Sequence, residues 1–447
     1  MDVQLSNYGN ASTQPSPVNT MMAAFAGNFR EGVDVNLGVG YVNERTIPAG
    51  LIAEAMQAVS GNRSKYRQAF NYGSPEGTAN LIASIKRFLS GPGVGNLDSQ
   101  LLARKRLIIG PCGATSVLDS IAELLAPGIV ITSDPMYYIY CDCLERKGFR
   151  VLSVPEDAEG LDLTILDRKL TELGDKVREI SFFYVVTVNN PSGTILSNAR
   201  RRALYDVAAK LSREQGRLIP IFFDLAYELL LHDPEAERFQ SALPDDSLGI
   251  AYEIGTLSKI LAPALRIGYL LGADGPFMSA MVQKTSDTGF SAPPFVQEMA
   301  GYLLDNYAEN QLRNVNSGYR EKALAVRKGI ARELGTLLSE YRGGQAGFYF
   351  YLTFRDVETH PRSPFFKYLT RTSGDPSVDG PAGNPPPRVM YIPGEYCVNP
   401  RGDLAEAGKR QLRLSYGYED AGPILVALGV MRRAIEATAS LTKAASR

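Results

Sequence analysis

The sequence predicts an α/β protein in which a large domain carries a mostly parallel sheet and a smaller α+β domain is built from the chain ends. Between about residues 68 and 315, short apolar runs alternate with helical stretches, which is typical of a parallel sheet covered by helices on both faces. Turn-forming Gly, Pro, Asn and Asp follow these runs and end the predicted strands. We therefore divide the chain into residues 1–67 (an N-terminal arm and part of the small domain), 68–315 (the large domain) and 316–447 (the C-terminal small domain).

The large domain begins its alternation with a strand, a helix and a second strand. Residues 105–109 (KRLII) predict a buried strand that a Gly-Pro pair ends. A helix follows, because apolar residues recur along one of its faces: Val117, Leu118, Ile121, Leu124 and Leu125. A Pro-Gly pair ends this helix, and residues 128–132 (GIVIT) predict the next strand.

The same alternation continues through the rest of the large domain. Residues 179–188 predict a strand from their continuous β-branched and aromatic composition, and residues 199–215 predict a helix. Three further segments are short and apolar enough to be strands: residues 218–223, 252–255 and 266–272. Strands and helices in this order favour a sheet that is buried on both faces.

The C-terminal part predicts a different architecture. Residues 319–337 have a long charged helical pattern, and the following GFYFYLTF alternates like a half-exposed strand. Residues 371–387 are rich in Pro, Gly and Ser without periodicity, so we predict a mobile loop there. Two more strands and a terminal amphipathic helix that Pro423 opens complete the predicted small domain.

The composition excludes several classes of function. The 47 Lys and Arg residues nearly balance 48 Asp and Glu, which argues against nucleic acid or an anionic membrane as the main partner. No apolar run approaches the ~18 residues of a membrane helix, and the N-terminus has no secretory signal pattern. Four Cys and two His residues leave little scope for a disulfide framework or a His-based metal site. We therefore expect a soluble, cytoplasmic protein without a bound metal.

Chemically functional side chains follow three of the predicted strands. Asn190 lies in NNPSG, Asp224 in FFDLAY and Lys259 in GTLSK, and Arg266 lies seven residues beyond the lysine. The separations of 34 and 35 residues each correspond to one strand–helix–strand unit. Because ligands of open α/β sheets bind at the carboxyl ends of the strands, we expect these side chains to converge there.

A series of motifs occurs in a fixed order along the chain: VNLGVG, YGSPEG, GPCGATSVL, DPMYYIY, NNPSG, DLAY, TLSK, RIGY, PG and RLSYG. In this order the sequence resembles the class I/II aminotransferases, the aspartate-aminotransferase superfamily of enzymes dependent on pyridoxal 5'-phosphate (PLP). The resemblance extends from about residue 35 to residue 418. It implies the fold-type I architecture, with a PLP-binding large domain whose mostly parallel sheet is of the seven-stranded type, and a homodimer with shared active sites.

The resemblance also implies roles around the cofactor ring. Lys259 matches the lysine that holds PLP as a Schiff base and moves the proton at the substrate Cα. An amine in a cation-rich, low-dielectric site is suited to form such a Schiff base. Asp224 matches the partner of the pyridine nitrogen, which keeps the ring an electron sink. Asn190 and Tyr227 match the residues that hydrogen-bond the phenolic oxygen, and Tyr137 matches the stacking aromatic residue.

Further matches concern the phosphate group and the substrate. The residues that match the phosphate site are Gly113, Ala114, Thr115, Thr256, Ser258 and Arg266. The first three open a predicted helix, whose N-terminus favours anions. Tyr72 matches a tyrosine that reaches the phosphate of the neighbouring subunit. Arg413 matches the bidentate clamp on the substrate α-carboxylate, and Gly40 matches a glycine whose backbone approaches the substrate.

Each match also has an ordinary structural explanation. Asp224 would cap a turn at the end of an apolar run, and Asn190 before a proline fits simple turn chemistry. A lone lysine or arginine is most often a solvated surface residue, and the aromatic matches would serve packing. Tyr138 and Tyr140 are alternatives to Tyr137 as the stacking ring. The order of the motifs, taken together, favours the functional interpretation.

These matches predict an aminotransferase that moves an amino group from an L-amino acid to a 2-oxo acid by a ping-pong mechanism. A PLP-dependent lyase or decarboxylase of the same fold is the alternative, because PLP activates several bonds at Cα. A ligand-sensing domain of a DNA-binding regulator is a third hypothesis, against which we note that no basic helix-turn-helix segment precedes VNLGVG. Residues 284–295 offer no clearly placed second arginine for a dicarboxylate, so we expect apolar or aromatic amino acids as substrates.

Overall fold

Helices and strands alternate along residues 3–91, 94, 97–381 and 385–445, which the computed structural model describes. The α-helices of these ranges are α1 (Asn7–Ala11), α2 (Pro17–Ala26), α3 (Ala49–Gly61), α4 (Ala79–Leu89), α5 (Ser99–Arg104), α6 (Gly113–Leu124), α7 (Tyr138–Arg146), α8 (Leu163–Leu173), α9 (Asn198–Gln215), α10 (Pro276–Asp287), α11 (Pro294–Leu334), α12 (Pro364–Thr370), α13 (Pro376–Asp379), α14 (Ala405–Gly408) and α15 (Ala421–Ala445). The strands are β1 (Val35–Asn36), β2 (Lys105–Ile109), β3 (Ile129–Asp134), β4 (Arg150–Asp157), β5 (Gly160–Leu161), β6 (Ile180–Val186), β7 (Ile221–Asp224), β8 (Ala251–Thr256), β9 (Gly268–Ala273), β10 (Leu338–Gly343), β11 (Tyr349–Phe354), β12 (Val389–Met390), β13 (Ile392–Pro393) and β14 (Gln411–Ser415). Each of these helices is too short or too polar to cross a bilayer.

The largest sheet has the strand order β2-β9-β8-β7-β6-β3-β4-β5. Neighbouring strands from β8 to β4 pair in parallel, whereas β9 lies antiparallel between β8 and β2. The two-residue strand β5 adds a short antiparallel edge beside β4. The predicted α/β class with a mostly parallel sheet is therefore confirmed, and the carboxyl ends of β6, β7 and β8 lie along one edge.

Helices bury both faces of this sheet, and the sequence of β6 shows why the strand is apolar throughout. Phe183 and Val185 pack into one apolar cluster, while Phe182 and Tyr184 pack into a second cluster with residues of α6 and α7. Because successive side chains of a strand point to opposite faces, a strand buried on both faces needs a continuous apolar run. The strand predicted at residues 179–188 has this composition for that reason.

A smaller antiparallel sheet has the strand order β10-β11-β14-β13. A separate two-stranded parallel sheet pairs β1 with β12, so that Val35 lies opposite Val389. This pairing brings the N-terminal and C-terminal parts of the chain together, in agreement with a second unit built from the chain ends.

Four elements illustrate how the structure departs from the sequence-based prediction. Strand β4 is absent from that prediction, because Pro155 and the charged residues at both ends interrupt its apolar pattern. The predicted helix 319–337 is the second half of the much longer α11. Strand β11 is buried along nearly its whole length instead of half-exposed, because both of its faces are covered: Phe350 and Leu352 pack into one apolar cluster and Tyr351 into another.

The fourth difference lies in residues 371–387, where the sequence predicts a loop. These residues contain the short helix α13, and the Arg371 side chain donates hydrogen bonds to the carbonyl oxygens of Val378 and Pro387. Residues 382–384 of this segment lie outside the described residues. The segment thus has local structure that its composition does not predict.

Candidate active site

A cavity of about 250 Å³ lies at the carboxyl ends of the parallel strands. Its wall contains eleven of the fourteen residues for which the sequence suggests a role: Gly40, Ala114, Thr115, Tyr137, Asn190, Asp224, Tyr227, Thr256, Ser258, Lys259 and Arg266. Five further residues complete the wall: Tyr41, Leu118, Val186, Ala226 and Pro263. The last residues of β6, β7 and β8 are Val186, Asp224 and Thr256. The carboxyl ends of these three strands therefore bring the predicted site residues together in the cavity wall.

Asp224 is a buried carboxylate held by neutral donors. The Tyr184 hydroxyl donates to Asp224 Oδ2 at 2.7 Å, and the Ala226 N–H donates to Oδ1 at 3.0 Å. Burial raises the pKa of Asp224, and the Tyr184 hydrogen bond opposes that rise. A buried carboxylate without a directly bonded cation is suited to pair with a cationic N–H of a ligand.

Lys259 follows β8 and points its amine into the same cavity. Its Nζ donates to the Gly40 carbonyl oxygen at 3.1 Å and lies 5.2 Å from the centroid of the Tyr227 ring. Burial lowers the pKa of Lys259 to about 8, and the positive charges of Arg413 and Arg266 act in the same direction. At pH 7 about a tenth of this amine is therefore uncharged, far more than of an exposed lysine with a pKa of about 10.4, which makes it a competent nucleophile toward a carbonyl carbon.

The N-terminus of α6 forms an anion-binding end of the cavity. Helix α6 begins at Gly113, and Ala114 and Thr115 of its first turn belong to the cavity wall. N–H groups of a first turn have no partner within the helix and carry the positive end of its dipole. The hydroxyl groups of Thr256 and Ser258, 3.0 Å apart, lie in the same wall. This donor set is suited to a phosphate group.

Arg266 adds a positive charge next to that helix end. It has a left-handed backbone conformation with φ 52°, and its Nε donates to Cys112 Sγ at 3.4 Å while Nη2 donates to the Cys112 carbonyl oxygen at 3.2 Å. Gly113 lies directly behind the guanidinium, where an ideal Cβ would be 2.7 Å from Nη2. Gly113 therefore supports the wall without belonging to it.

Arg413 lies beside the cavity, on β14. Its Nη1 donates to Asn190 Oδ1 at 2.7 Å, and its Nη2 donates to the Gly38 carbonyl oxygen. The buried Nε has no hydrogen-bond partner among the described residues. A buried guanidinium with a free N–H is suited to bind a carboxylate.

Three neighbouring tyrosines have different surroundings. Tyr137 is in the cavity wall. Tyr138 has its ring centroid 6.0 Å from the Arg413 guanidinium, and Tyr140 packs edge to face on Tyr184 in the core. The geometry therefore favours Tyr137 among the three rings as the one that can stack on a ligand in the cavity.

Tyr72, like Gly113 and Arg413, is a predicted site residue outside the cavity wall. Its side chain is 81% exposed and lies 5.9 Å, between ring centroids, from Phe290. Within the isolated chain, Tyr72 therefore contributes nothing to the cavity wall.

The structure adds a half-buried glutamate that the sequence analysis does not identify. Glu156 on β4 accepts hydrogen bonds from Asn189 Nδ2 and Ser192 Oγ, both at 2.7 Å, and so holds the loop that carries Asn190. Burial raises the pKa of Glu156 to about 7, although these hydrogen bonds oppose the rise.

In the part of the chain that the structure describes, no group of three or more His, Cys, Asp or Glu residues is arranged to hold a metal ion.

Comparisons with known proteins agree with this arrangement. The family model described as aminotransferase class I and II matches residues 34–372. The uncharacterized HTH-type transcriptional regulator YisV of Bacillus subtilis is 24% identical over 391 residues, which cover 87% of this chain and 71% of that protein. Aromatic-amino-acid aminotransferase 1 of Thermococcus litoralis is 23% identical over 300 residues, which cover 66% of this chain and 68% of that enzyme. The crystal structure of a multiple substrate aminotransferase from Thermococcus profundus has the same fold, with a TM-score of 0.80 at 20% identity and 97% of each chain covered.

Proposed function

This chain belongs to the class I and II aminotransferases, and on that premise we propose that it transfers an amino group from an L-amino acid to a 2-oxo acid by a ping-pong mechanism with PLP as its cofactor. The family and its fold are PLP-dependent in general. The observation that carries the proposal is the Lys259 amine with its lowered pKa, which shares one cavity with a buried carboxylate and an anion-binding helix end.

The cavity residues fit PLP, because they provide an amine, a buried carboxylate and an anion site in one enclosed space. When bound, PLP supplies an electron sink for the bonds at the substrate Cα. In this proposal Lys259 binds the cofactor covalently through Nζ and later moves the proton at Cα. Asp224 pairs with the ring nitrogen, while Tyr227 and Asn190 hydrogen-bond the phenolic oxygen.

The remaining cavity residues bind the phosphate group, the ring face and the substrate. The phosphate partners that we propose are Gly113, Ala114, Thr115, Thr256, Ser258 and Arg266. All of them except Gly113 belong to the cavity wall, and the Gly113 N–H donates to the Arg266 carbonyl oxygen at 2.7 Å. Tyr137 covers one face of the ring. Arg413 binds the substrate α-carboxylate with its buried guanidinium, and the Gly40 backbone approaches the substrate.

We further propose a homodimer in which Tyr72 completes the phosphate site of the neighbouring subunit. Tyr72 is 81% exposed and Phe70 is 55% exposed, and both belong to one surface segment. Large exposed aromatic side chains in one place are typical of a surface that a partner covers.

We also propose a cytoplasmic location and the division into residues 1–67, 68–315 and 316–447.

The substrate that we propose has an apolar or aromatic side chain. Helix α2 (PVNTMMAAFA) contains no charged residue, and its Met22 lies against Gly38, whose carbonyl oxygen accepts a hydrogen bond from Arg413. A charged substrate side chain directed toward this helix would find no ionic partner on it. The Thermococcus litoralis relative is named for aromatic amino acids.

The test is the visible absorption spectrum of the purified protein with PLP, followed by a panel of amino acids. We expect an absorbance band that Lys259→Ala abolishes, and an aromatic or apolar amino acid that converts it to the pyridoxamine form with release of a 2-oxo acid. Lys322→Ala is the matched control, because burial lowers the pKa of Lys322 to about 8 as well, but outside the cavity.

Other outcomes would contradict the proposal. Release of a substrate fragment with PLP regenerated would indicate a lyase or decarboxylase. Binding of amino acids without any transfer would favour a ligand-sensing role. A spectrum that Lys259→Ala leaves unchanged would remove the basis of the proposal.

A further inference from the structure

A second tyrosine lies directly behind Tyr227. Tyr349, the first residue of β11, is 1% exposed, and its hydroxyl oxygen lies 2.7 Å from that of Tyr227. The two rings meet edge to face with their centroids 5.4 Å apart. Both hydroxyls are buried, and buried polar groups require hydrogen-bond partners. The two residues therefore satisfy each other.

The ring of Tyr349 also contacts Arg413. The guanidinium carbon lies 4.6 Å from the ring centroid, within the range of a cation–π contact. Tyr349 thus touches two residues of the proposed mechanism. Its hydroxyl bonds the residue proposed for the phenolic oxygen of the cofactor, and its ring packs on the residue proposed for the substrate carboxylate.

Gly40 leaves the space that the Tyr349 hydroxyl occupies. An ideal Cβ on Gly40 would lie 2.8 Å from the Tyr349 hydroxyl oxygen, closer than carbon and oxygen atoms pack. The Gly40 carbonyl oxygen meanwhile accepts the hydrogen bond from Lys259. A side chain at position 40 would therefore push Tyr349 away from Tyr227.

We propose that Tyr349 is a positioning residue that orients the Tyr227 phenol and strengthens it as a hydrogen-bond donor. Each hydroxyl has one hydrogen. When the Tyr227 hydrogen is directed to an acceptor in the cavity, the Tyr227 oxygen is free to accept the hydrogen of Tyr349. Hydrogen bonds in such a chain polarise one another, so Tyr227 donates more strongly with Tyr349 behind it than alone. This role rests on the proposed function, because the acceptor is the phenolic oxygen of PLP.

The test is a spectroscopic pH titration of the PLP-loaded protein and its Tyr349→Phe variant. Without the Tyr349 hydroxyl, Tyr227 is a weaker hydrogen-bond donor and stabilises the negative charge on the phenolic oxygen less. The cofactor linked to Lys259 therefore keeps its proton to a higher pH. We expect the midpoint of the visible absorbance change to rise by about half a pH unit, roughly a threefold change in the ionisation constant. Phenylalanine keeps the ring against Arg413, so the loss is confined to the hydroxyl.

Tyr391→Phe is the matched control. Tyr391 is also fully buried, and its hydroxyl donates to the Thr359 carbonyl oxygen at 2.7 Å, a contact outside the cavity wall. We expect this variant to titrate like the wild type. In a Tyr227→Phe background, Tyr349→Phe should add no further shift, since the residue through which it acts is gone.

Gly40→Ala provides a second variant, in which the added Cβ crowds the Tyr349 hydroxyl. We expect it to raise the midpoint in the same direction, and the Gly40→Ala/Tyr349→Phe double variant to shift no further than Tyr349→Phe alone. An unchanged midpoint in Tyr349→Phe, an equal shift in Tyr391→Phe, or an undiminished shift in the Tyr227→Phe background would each overturn the inference. A wild-type protein that gives no Lys259-dependent absorbance would instead overturn the proposed function, so the two failures are distinguishable.

Discussion

Lys259 experiences several influences that disfavour its ammonium form. Burial is the largest, and the charges of Arg413 and Arg266 add to it, so the pKa of Lys259 falls to about 8. Asp224 opposes this effect but does not cancel it. The site thus keeps an amine reactive at physiological pH by excluding water and by placing two guanidinium groups nearby.

This balance predicts how the protein binds PLP, the proposed cofactor. The rate at which the cofactor-free protein binds PLP, followed by visible absorbance, should rise with pH and level off above about 8, because only the neutral amine attacks. Arg413→Gln removes one positive charge and should raise the pH midpoint of this rate profile by several tenths of a pH unit. The ordinary pKa of a lysine side chain, about 10.4, is the reference value. A midpoint near that value for Lys259 would contradict the prediction.

The residues that the sequence predicts for this cavity are those that follow strand ends in distinctive motifs. Asp224 directly follows an apolar run, and Lys259 lies in the GTLSK motif after the next strand. Their buried partners have no such signal. Tyr184 and Tyr349 lie inside aromatic, apolar strands, where a tyrosine indicates core packing equally well. Which hydroxyl meets which side chain depends on contacts between distant strands, and no local pattern encodes them.

At the scale of elements, β9 and the first turn of α6 are in direct backbone contact. An ideal Cβ on Gly268 would lie 2.1 Å from Ala114 N and 2.3 Å from Gly113 C. Only glycine allows this approach, which fixes the anion-binding end of α6 against the sheet. A strand residue that does not itself line the cavity therefore determines how closely the first turn of α6 approaches the sheet.

Gly268→Ala should consequently damage both stability and cofactor binding. We expect the free energy of unfolding to fall by roughly 1–3 kcal/mol, or more, because two backbones must separate, and the affinity of the cofactor-free protein for PLP to fall with it. Chemical denaturation and a PLP titration would measure the two effects. Gly335→Ala is the control, because a Cβ there meets nothing within 4 Å. Equal effects of the two substitutions would show that the close approach is unimportant.

Helix α11 shows why element boundaries are harder to predict than element types. The sequence indicates a helix only from residue 319, yet α11 begins at Pro294. Its first half buries Gln297, Glu298 and Gln311, and these polar residues interrupt the apolar periodicity. Gln297 Oε1 accepts the Thr78 N–H at 2.7 Å and Gln311 Nε2 donates to the Ile260 carbonyl oxygen at 2.8 Å. Tertiary hydrogen bonds therefore explain polar residues that appear misplaced in the sequence alone.

At the scale of the whole molecule, the alternation of strands and helices predicts the class of the sheet but not its order. Strand β9 inserts between β8 and β2, and β1 pairs with β12 across more than 350 residues. Such pairings are decided by which apolar faces fit together over the whole chain. The order of the motifs predicts the order of the strands only indirectly, through the resemblance to a family whose architecture is known.

Three buried carboxyl groups give the whole molecule a characteristic pH dependence. Burial raises the pKa of Asp134, Glu156 and Glu253 to about 7 in each case. In the unfolded chain these groups titrate near 3.8 or 4.5. Between about pH 4.5 and 7 the folded state therefore binds more protons than the unfolded state. The stability that these groups contribute is complete below that window and is lost as the pH rises through about 7.

Glu253 allows this dependence to be tested at one position. Its carboxyl group lies on β8, accepts a hydrogen bond from Ser241 Oγ at 2.5 Å, and is influenced by the opposing charges of Arg201 and Glu228. Glu253→Gln replaces it with a side chain that cannot ionise, so the variant should lose less stability than the wild type between pH 5 and pH 8. The difference between the two losses should be on the order of 3 kcal/mol at most. Urea denaturation at each pH measures it, with Glu235→Gln, at an exposed position, as the control. If Glu253→Gln and the wild type lost equal stability over this range, Glu253 would have to be ionised throughout, and its charge would have to be balanced by Arg201 despite its burial.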